Sequence, residues 1–194
     1  MLKKITWYSC IKITTAKIGI IKNFSKKKYF SESFLIIAKD KINDLALLKA
    51  TNIFNENFVK FRIGLGAKHG EEILVVGYPL GGFLSSQAKV TSGVISSTIG
   101  YLDNVNEFQF DAAIQPGNSG GPIYDLSGQV VGVTVAAIDK QRLYEDTGLQ
   151  TENINFGIKS SIVKIFLETN GINFHNSENT TKLETHKITE EAMK

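Results

Sequence analysis

One glycine-rich hexapeptide, Gly117-Asn118-Ser119-Gly120-Gly121-Pro122, constrains this chain of 194 residues more than any other segment. It places a single serine between glycines, and an apolar pair, Ile123-Tyr124, follows it directly. Glycines permit a tight turn in which backbone N–H groups face outward. A serine hydroxyl beside two such groups is what acyl-transfer chemistry requires. The hexapeptide therefore predicts a nucleophilic serine on a turn that runs into a strand; the alternative is a glycine-rich hairpin turn without chemistry.

Most of the remaining chain consists of short β-branched and aromatic runs separated by Gly, Asn and Asp. Such runs predict antiparallel β-structure. We expect nine strands, over residues 17–22, 34–38, 45–49, 72–78, 89–96, 107–112, 123–125, 129–137 and 155–158.

One helix follows the last of these strands. Ser160 is the expected N-cap, and Asn170-Gly171 supplies the stop signal. The intervening residues carry one apolar face, formed by Ile162, Val163, Phe166 and Leu167. Residues 172–194 are polar and lack an apolar period, so we expect a disordered tail there.

Charge is unevenly distributed, although the net charge is only +3. Residues 1–30 hold eight lysines and no acidic residue. A solvated face, an anionic partner and a targeting segment are all compatible with this start. Because no basic-aromatic recognition motif accompanies the lysines, we expect no nucleic-acid partner. No apolar run is long enough for a transmembrane segment.

Three segments resemble trypsin-like serine proteases of the HtrA/Deg type. The hexapeptide with the preceding residues 110–115 is similar to the family's nucleophile segment. Residues 43–49 (NDLALLK) resemble the segment with the catalytic aspartate, and residues 155–161 resemble the last barrel strand and the start of the closing helix. The resemblance covers about residues 16–171.

The resemblance implies an all-β fold of two antiparallel β-barrels with a C-terminal helix and the active site between the barrels. The expected parts are a partial first barrel over 1–98, a second barrel with the helix over 99–171 and the tail over 172–194. The implied activity is serine-type endopeptidase, with peptides or unfolded proteins as substrates. Homo-oligomers and a location in the bacterial envelope are frequent in the family, although residues 1–30 contain no clear export signal.

Specific roles follow from the same resemblance. Ser119 corresponds to the nucleophile and Asp44 to the carboxylate that orients the base; by residue type alone, Asp44 reads as a turn aspartate before a strand. The oxyanion hole corresponds to the backbone N–H groups around Gly117, Asn118 and Ser119. The primary specificity pocket corresponds to Ala113, Ile114, Val133 and Thr134, which together predict cleavage after small or medium aliphatic residues.

The catalytic histidine of the family has no counterpart in this sequence. The equivalent stretch, about residues 5–16, contains no histidine, and the three histidines of the chain are His69, His175 and His186. His69 reads as a surface-turn residue, and the other two fall in the expected tail. A chain without the base predicts a weak or silent enzyme, either a peptide-binding module or the product of a truncated gene. No cofactor is expected, and no His, Asp, Glu or Cys cluster predicts a metal site.

Overall fold

The computed structural model describes residues 11–12, 18–22, 34–50, 58–64, 66–77, 88–115, 117–135 and 153–193. Four N-terminal strands form an antiparallel sheet of order β1-β2-β4-β3. Their bounds are β1 (Ile11–Lys12), β2 (Ile18–Lys22), β3 (Phe34–Asp40) and β4 (Leu45–Ala50). This sheet occupies the place of the expected incomplete first barrel.

A closed six-stranded barrel forms the second part of the structure. Its strands are antiparallel and run in the order β11-β8-β7-β6-β9-β10, and β10 pairs with β11 to close the ring. A short strand, β5 (Lys60–Arg62), joins β10 from outside in parallel orientation. The barrel strands are β6 (Glu72–Gly77), β7 (Lys89–Ser97), β8 (Glu107–Phe110), β9 (Pro122–Asp125), β10 (Val130–Thr134) and β11 (Asn155–Lys159). The predicted all-β class with a C-terminal helix is confirmed.

The barrel begins earlier in the chain than expected. The boundary expected at residue 98 falls between β7 and β8, and both of these strands belong to the ring. Composition could not reveal this, because β6 (EILVVG) and β4 of the first sheet (LALLKA) are both short, mostly apolar runs. Strand membership is decided by the pairing of β6 with β9, which links residues fifty positions apart, such as Leu74 and Tyr124.

One large aromatic residue packs against two glycines where the barrel closes. The Phe108 ring is fully buried and lies against the glycines of two paired strands. A Cβ atom on Gly132 would lie 2.5 Å from Phe108 Cε1, and one on Gly157 would lie 2.8 Å from Phe108 Cζ. These distances are shorter than any van der Waals contact, so β10 and β11 close over Phe108 only because both positions lack a side chain.

The core joins the first sheet to the barrel. Leu45 and Leu47 on β4 belong to the same buried cluster as Val133 on β10 and Ile158 on β11. A second cluster, around Phe108, fills the inside of the barrel. The segment that follows Asp44 is therefore packed directly against the barrel.

The C-terminal segment is ordered in the structure, in contrast to the expected disordered tail. After α1 (Ser160–Thr169), the chain forms β12 (His175–Ser177), which pairs with β5, and then α2 (Thr185–Ala192). Leu183, just before α2, and Ile188 on α2 lie beside Gly128 in the β9–β10 hairpin, and Ala192 packs against the same core cluster. Ser160 is the first helical residue; the N-cap is Lys159, without a side-chain cap. Neither helix in the described ranges is long and apolar enough to span a bilayer.

Candidate active site

Ser119 is the second residue of a tight turn that directly follows another tight turn. The N–H of Asn118 donates to the carbonyl of Gln115 at 3.0 Å, and the N–H of Gly121 donates to the carbonyl of Asn118 at 2.9 Å. The third residue of each turn is a glycine with positive φ, +110° at Gly117 and +85° at Gly120. Positive φ at the third position of a tight turn is readily adopted only by glycine. The predicted glycine-rich turn around the serine is therefore present.

The turn is fixed to the barrel by β10. Gly120 N–H donates to the carbonyl of Thr134, and Thr134 N–H donates to the carbonyl of Gly121, both at 2.9 Å. This pairing extends the β9–β10 ladder by one step beyond Pro122 and Val133. The position of Ser119 is thus set by a rigid strand pair rather than by a free loop.

The polar groups of Ser119 are available for a ligand. Ser119 is half-buried, and within the described ranges neither its N–H nor its Oγ forms a hydrogen bond. An unpaired amide beside an unpaired hydroxyl supplies two groups that acyl transfer uses, a donor for the oxyanion and a nucleophile. Asn118 is different: its N–H is used inside the first turn, so it is not a free donor, contrary to the expectation for this position.

Two buried oxygen atoms near the turn have no partner among the described residues. They are Oδ1 of Asn118 and Oγ1 of Thr134. An unpaired buried polar group costs about 1–3 kcal/mol of stability. Two further atoms of this kind among the described residues, Oγ1 of Thr91 and Oε1 of Gln129, lie elsewhere in the structure.

The expected pocket residues divide into two groups. Ala113 is exposed and Ile114 is half-buried, so both can contact a ligand. Val133 and Thr134 are fully buried, and Val133 packs in the core cluster with the first sheet. Val133 faces the first sheet rather than the inside of the barrel, because the adjacent Gly132 faces the Phe108 ring, and Val133 has no exposed surface.

Asp44 lies in the turn that joins β3 to β4 and has a left-handed backbone, with φ of +51°. Asp and Asn tolerate this conformation better than other side-chain-bearing residues. The neighbouring Asn43 contacts the barrel: its Oδ1 accepts from Asn106 Nδ2 at 2.9 Å. Asp44 is therefore held at the junction of the sheet and the barrel, at the start of the strand whose Leu45 packs on the same core as Val133.

Asp40 completes the turn around Asp44. Its Oδ1 accepts from the N–H groups of Ile42 and Asn43, and its Oδ2 accepts from Asn43 Nδ2 at 2.6 Å. Burial raises the pKa of Asp40, but the hydrogen bonds from Asn43 and Ile42 outweigh burial and lower the pKa below its ordinary value. The ionised carboxylate is thus the form that stabilises the turn.

All three histidines of the chain lie at the opposite end of the barrel from Ser119. His69 precedes β6, whose Ile73 pairs with Asp125 at the β9–β10 hairpin. His175 pairs with Lys60 on β5, which joins β10 at Val130. Ser119 instead lies beside Thr134, four residues along the same strand, which corresponds to about 13 Å at 3.3 Å per residue.

His186 lies on α2, at the same end as the other two histidines. Leu183, just before this helix, donates its N–H to the carbonyl of Leu126 in the hairpin. The side chain of His186 is exposed, and its Nδ1 lies 3.4 Å from a carboxylate oxygen of Glu184. No histidine of the chain is therefore placed to act as a base for Ser119.

The hairpin end also carries a charged cluster. The guanidinium of Arg62 donates to both Glu71 and Asp125, and to the carbonyl of Gly66 at 2.7 Å. Burial raises the pKa of Asp125, although hydrogen bonds from Gln129 and Ser127 and the charge of Arg62 act in the opposite direction. These contacts connect the loops at the hairpin end of the barrel to one another. In the described residues, no group of three or more His, Cys, Asp or Glu side chains could hold a metal ion.

Asn155 contacts the segment that leads from β8 to Ser119, a contact that its place in a strand pattern does not predict. It begins β11, is 3% exposed, and its Nδ2 donates to the carbonyl of Ala112 at 2.8 Å. Asp111 contacts the same segment from the other side, because its Oδ1 accepts from Val94 N–H at 2.6 Å. A buried amide at the start of a predicted strand was the available signal, since such a group needs a hydrogen-bond partner.

Comparison with known proteins gives a consistent result. A family model described as a trypsin-like peptidase domain matches residues 17–133. The serine protease Do-like HtrA of Lactococcus lactis is 34% identical over 148 residues, which is 70% of this chain and 35% of that protein. The corresponding HtrA of Bacillus subtilis is 33% identical over 141 residues, 69% of this chain and 29% of its own length.

Two further matches extend the comparison. An uncharacterized protein of Sinorhizobium fredii is 33% identical over 157 residues, covering 81% of this chain and 24% of that protein. The crystal structure of a serine endoprotease from Yersinia pestis superposes with a TM-score of 0.67 at 21% identity, covering 88% of this chain and 60% of that chain. The latter likeness concerns the fold. The chain spans only between 24% and 35% of the length of these curated relatives.

Proposed function

Because the chain belongs to the family of trypsin-like peptidase domains and groups with its HtrA-type members, we propose that it is a serine-type endopeptidase domain. In this proposal, Ser119 Oγ attacks the carbonyl carbon of a peptide bond and forms an acyl-enzyme, and the amine portion leaves with a proton. Water then releases the acyl group. Protein or peptide chains are the proposed substrates.

One observation carries the proposal: among the described residues, the N–H and Oγ of Ser119 are both unpaired, on a turn that pairs with β10. The developing negative charge on the carbonyl oxygen is stabilised by backbone amides that are already oriented before the substrate arrives. Losing one such donor typically costs about 3 kcal/mol of transition-state stabilisation. The cost of keeping these groups unpaired is consistent with a catalytic use.

The proposed substrate preference is for small or medium aliphatic residues before the cut. Ala113 and Ile114, the accessible members of the proposed pocket, are apolar and carry no carboxylate that could pair with Lys or Arg. A pocket without a buried acid discriminates against a basic side chain, because the unpaired ammonium would have to lose its hydration.

Asp44 is the proposed orienting carboxylate. Its position at the junction of sheet and barrel, beside the Asn43–Asn106 hydrogen bond, supports this role. Because no histidine of the chain lies beside Ser119, the rate of peptide hydrolysis by this chain is low. Without a base, a serine protease keeps roughly 10³–10⁴-fold acceleration over water, from the oxyanion hole and from binding.

A second candidate function, a peptide-binding module without turnover, is favoured by that same placement of the histidines. Both candidates use the turn around Ser119, but only the first needs a reactive hydroxyl. A fluorophosphonate probe distinguishes them, because it reacts covalently with a nucleophilic serine.

The test compares the unmodified chain with Ser119→Ala and with a matched control, Ser127→Ala, in the hairpin at the far end of the barrel. The peptidase proposal expects one probe per chain, lost in Ser119→Ala and kept in Ser127→Ala. Binding of a fluorescent peptide without any labelling would instead establish the second candidate.

A further inference from the structure

The side chain of Asn155 is the contact that fixes the base of the proposed pocket. Strand β8 ends at Phe110, which pairs with Asn155 on β11. Two residues further, the backbone ladder has stopped, and the Asn155 side chain continues it by donating to the carbonyl of Ala112. Both residues are buried, so this hydrogen bond does not compete with water.

The segment after Ala112 has few other restraints. Within the described ranges, Ala113 and Ile114 form no hydrogen bond, and the next one along the chain is the carbonyl of Gln115 in the turn before Ser119. Hydrogen bonds therefore hold the segment at two points, Ala112 and Gln115, and Ile114 packs against the cluster around Phe108. Loss of the hydrogen bond from Asn155 to Ala112 would loosen the residues that line the proposed pocket.

We infer that Asn155 is a positioning residue for the substrate pocket. Its amide holds Ala112, and thereby sets the place of Ala113 and Ile114 against the residue that precedes the cut in an aliphatic peptide. This inference rests on the proposed function, because it assigns a pocket to the same site. Asn155 touches no reacting atom, so its loss affects pocket recognition more than the reactivity of Ser119.

Two tripeptide boronic acids that differ only in their last residue test this inference. One ends in valine, which fills the pocket, and the other ends in glycine, which leaves it empty. Both form a reversible adduct with a reactive serine, and both are neutral, so the ratio of their dissociation constants reports the pocket alone. The unmodified chain is expected to prefer the valine probe by about tenfold or more.

The variant Asn155→Ala is expected to reduce that preference to about threefold or less, while affinity for the glycine probe stays within about twofold. The matched control is Gln129→Ala. Gln129 is an equally buried amide whose Nε2 donates to the carbonyl of Asn179 at the far end of the barrel. The control is expected to lose stability and to keep the preference. If Asn155→Ala does not fold, Asn155→Ser replaces it, since its shorter hydroxyl cannot reach Ala112.

The outcomes distinguish a failure of the proposed role of Asn155 from a failure of the proposed function. Binding that depends on Ser119, with an unchanged valine preference in the Asn155 variant, overturns the role of Asn155 and leaves the proposed function standing. A chain in which neither probe binds, or in which binding survives Ser119→Ala, contradicts the proposed function and the role of Asn155 together.

Discussion

The side-chain amide of Asn106 donates to Oδ1 of Asn43 at 2.9 Å and thereby joins the barrel to the turn that carries Asp44. Each partner is fixed independently. Asn43 also donates to Asp40, and Asn106 receives a hydrogen bond from Lys159 N–H on its carbonyl. The pair is thus a hydrogen-bonded bridge between the first sheet and the barrel, which also share a buried core, and it lies next to Asp44.

A double-mutant cycle on Asn43→Ala and Asn106→Ala measures this bridge. We expect a coupling of about 0.5–1.5 kcal/mol in the free energy of unfolding, the usual net value of one hydrogen bond. Urea denaturation of the four chains provides the measurement. Additive effects of the two substitutions would show that the bridge does not stabilise the junction.

Gly120→Ala tests the turn around Ser119. Because φ at Gly120 is +85°, an alanine there is strained, and we expect the free energy of unfolding to fall by about 1–2 kcal/mol. Gly66→Ala is the control, since Gly66 lacks a positive φ and an added Cβ would meet no atom within 4 Å. Thermal unfolding compares the two. Equal stability of the variants would mean that the turn does not need a left-handed residue.

Ile188→Ala tests the attachment of the C-terminal segment. Ile188 on α2 is 2% exposed, and its truncation is expected to cost about 2–4 kcal/mol. Ile165→Ala on α1 is the matched control, because Ile165 is 58% exposed, and its effect should stay within about 0.5 kcal/mol. Chemical denaturation measures both. A small effect of Ile188→Ala would indicate that α2 contributes nothing to the stability of the barrel.

Asp40→Asn tests the acid dependence of the turn before Asp44. Since hydrogen bonds lower the pKa of Asp40 in the folded chain, its ionised form stabilises folding. This contribution is complete above the unfolded pKa of about 3.9 and is lost as the pH falls through the lower folded value. We therefore expect the variant to be less stable than the unmodified chain at pH 7, with a difference that shrinks between pH 5 and pH 2. A difference independent of pH would show that the carboxylate charge is not involved.

Local sequence patterns were sufficient to predict many of the strands and the first helix. Strand β6 was expected over 72–78 and spans Glu72–Gly77, and α1 ends at Thr169, next to the predicted Asn170-Gly171 stop. In these segments, the apolar periodicity of the sequence agrees with the burial of the side chains, and the stop signal agrees with the end of the helix. The turn of Ser119 was likewise predictable, because only glycines permit its positive φ values.

Contacts between residues that are far apart in the chain could not be predicted from local sequence patterns. Strand β12 was missed because its residues, His175–Ser177, are polar and are recruited by backbone pairing with β5, more than a hundred positions earlier. The orientation of Val133 toward the first sheet depends on the register of β10 against β9, which shifts between Val130 and Gly132. The link from Asn155 to Ala112 likewise exists only once β8 and β11 are paired.

The most direct test of the account is a crystal structure of the chain with the valine boronic acid. We expect a covalent bond from boron to Ser119 Oγ and a boronate oxygen within about 3.2 Å of the Ser119 backbone nitrogen. Boron bound at another residue, or a Ser119 amide directed away from the boronate, would contradict the claim that this turn is built for acyl transfer.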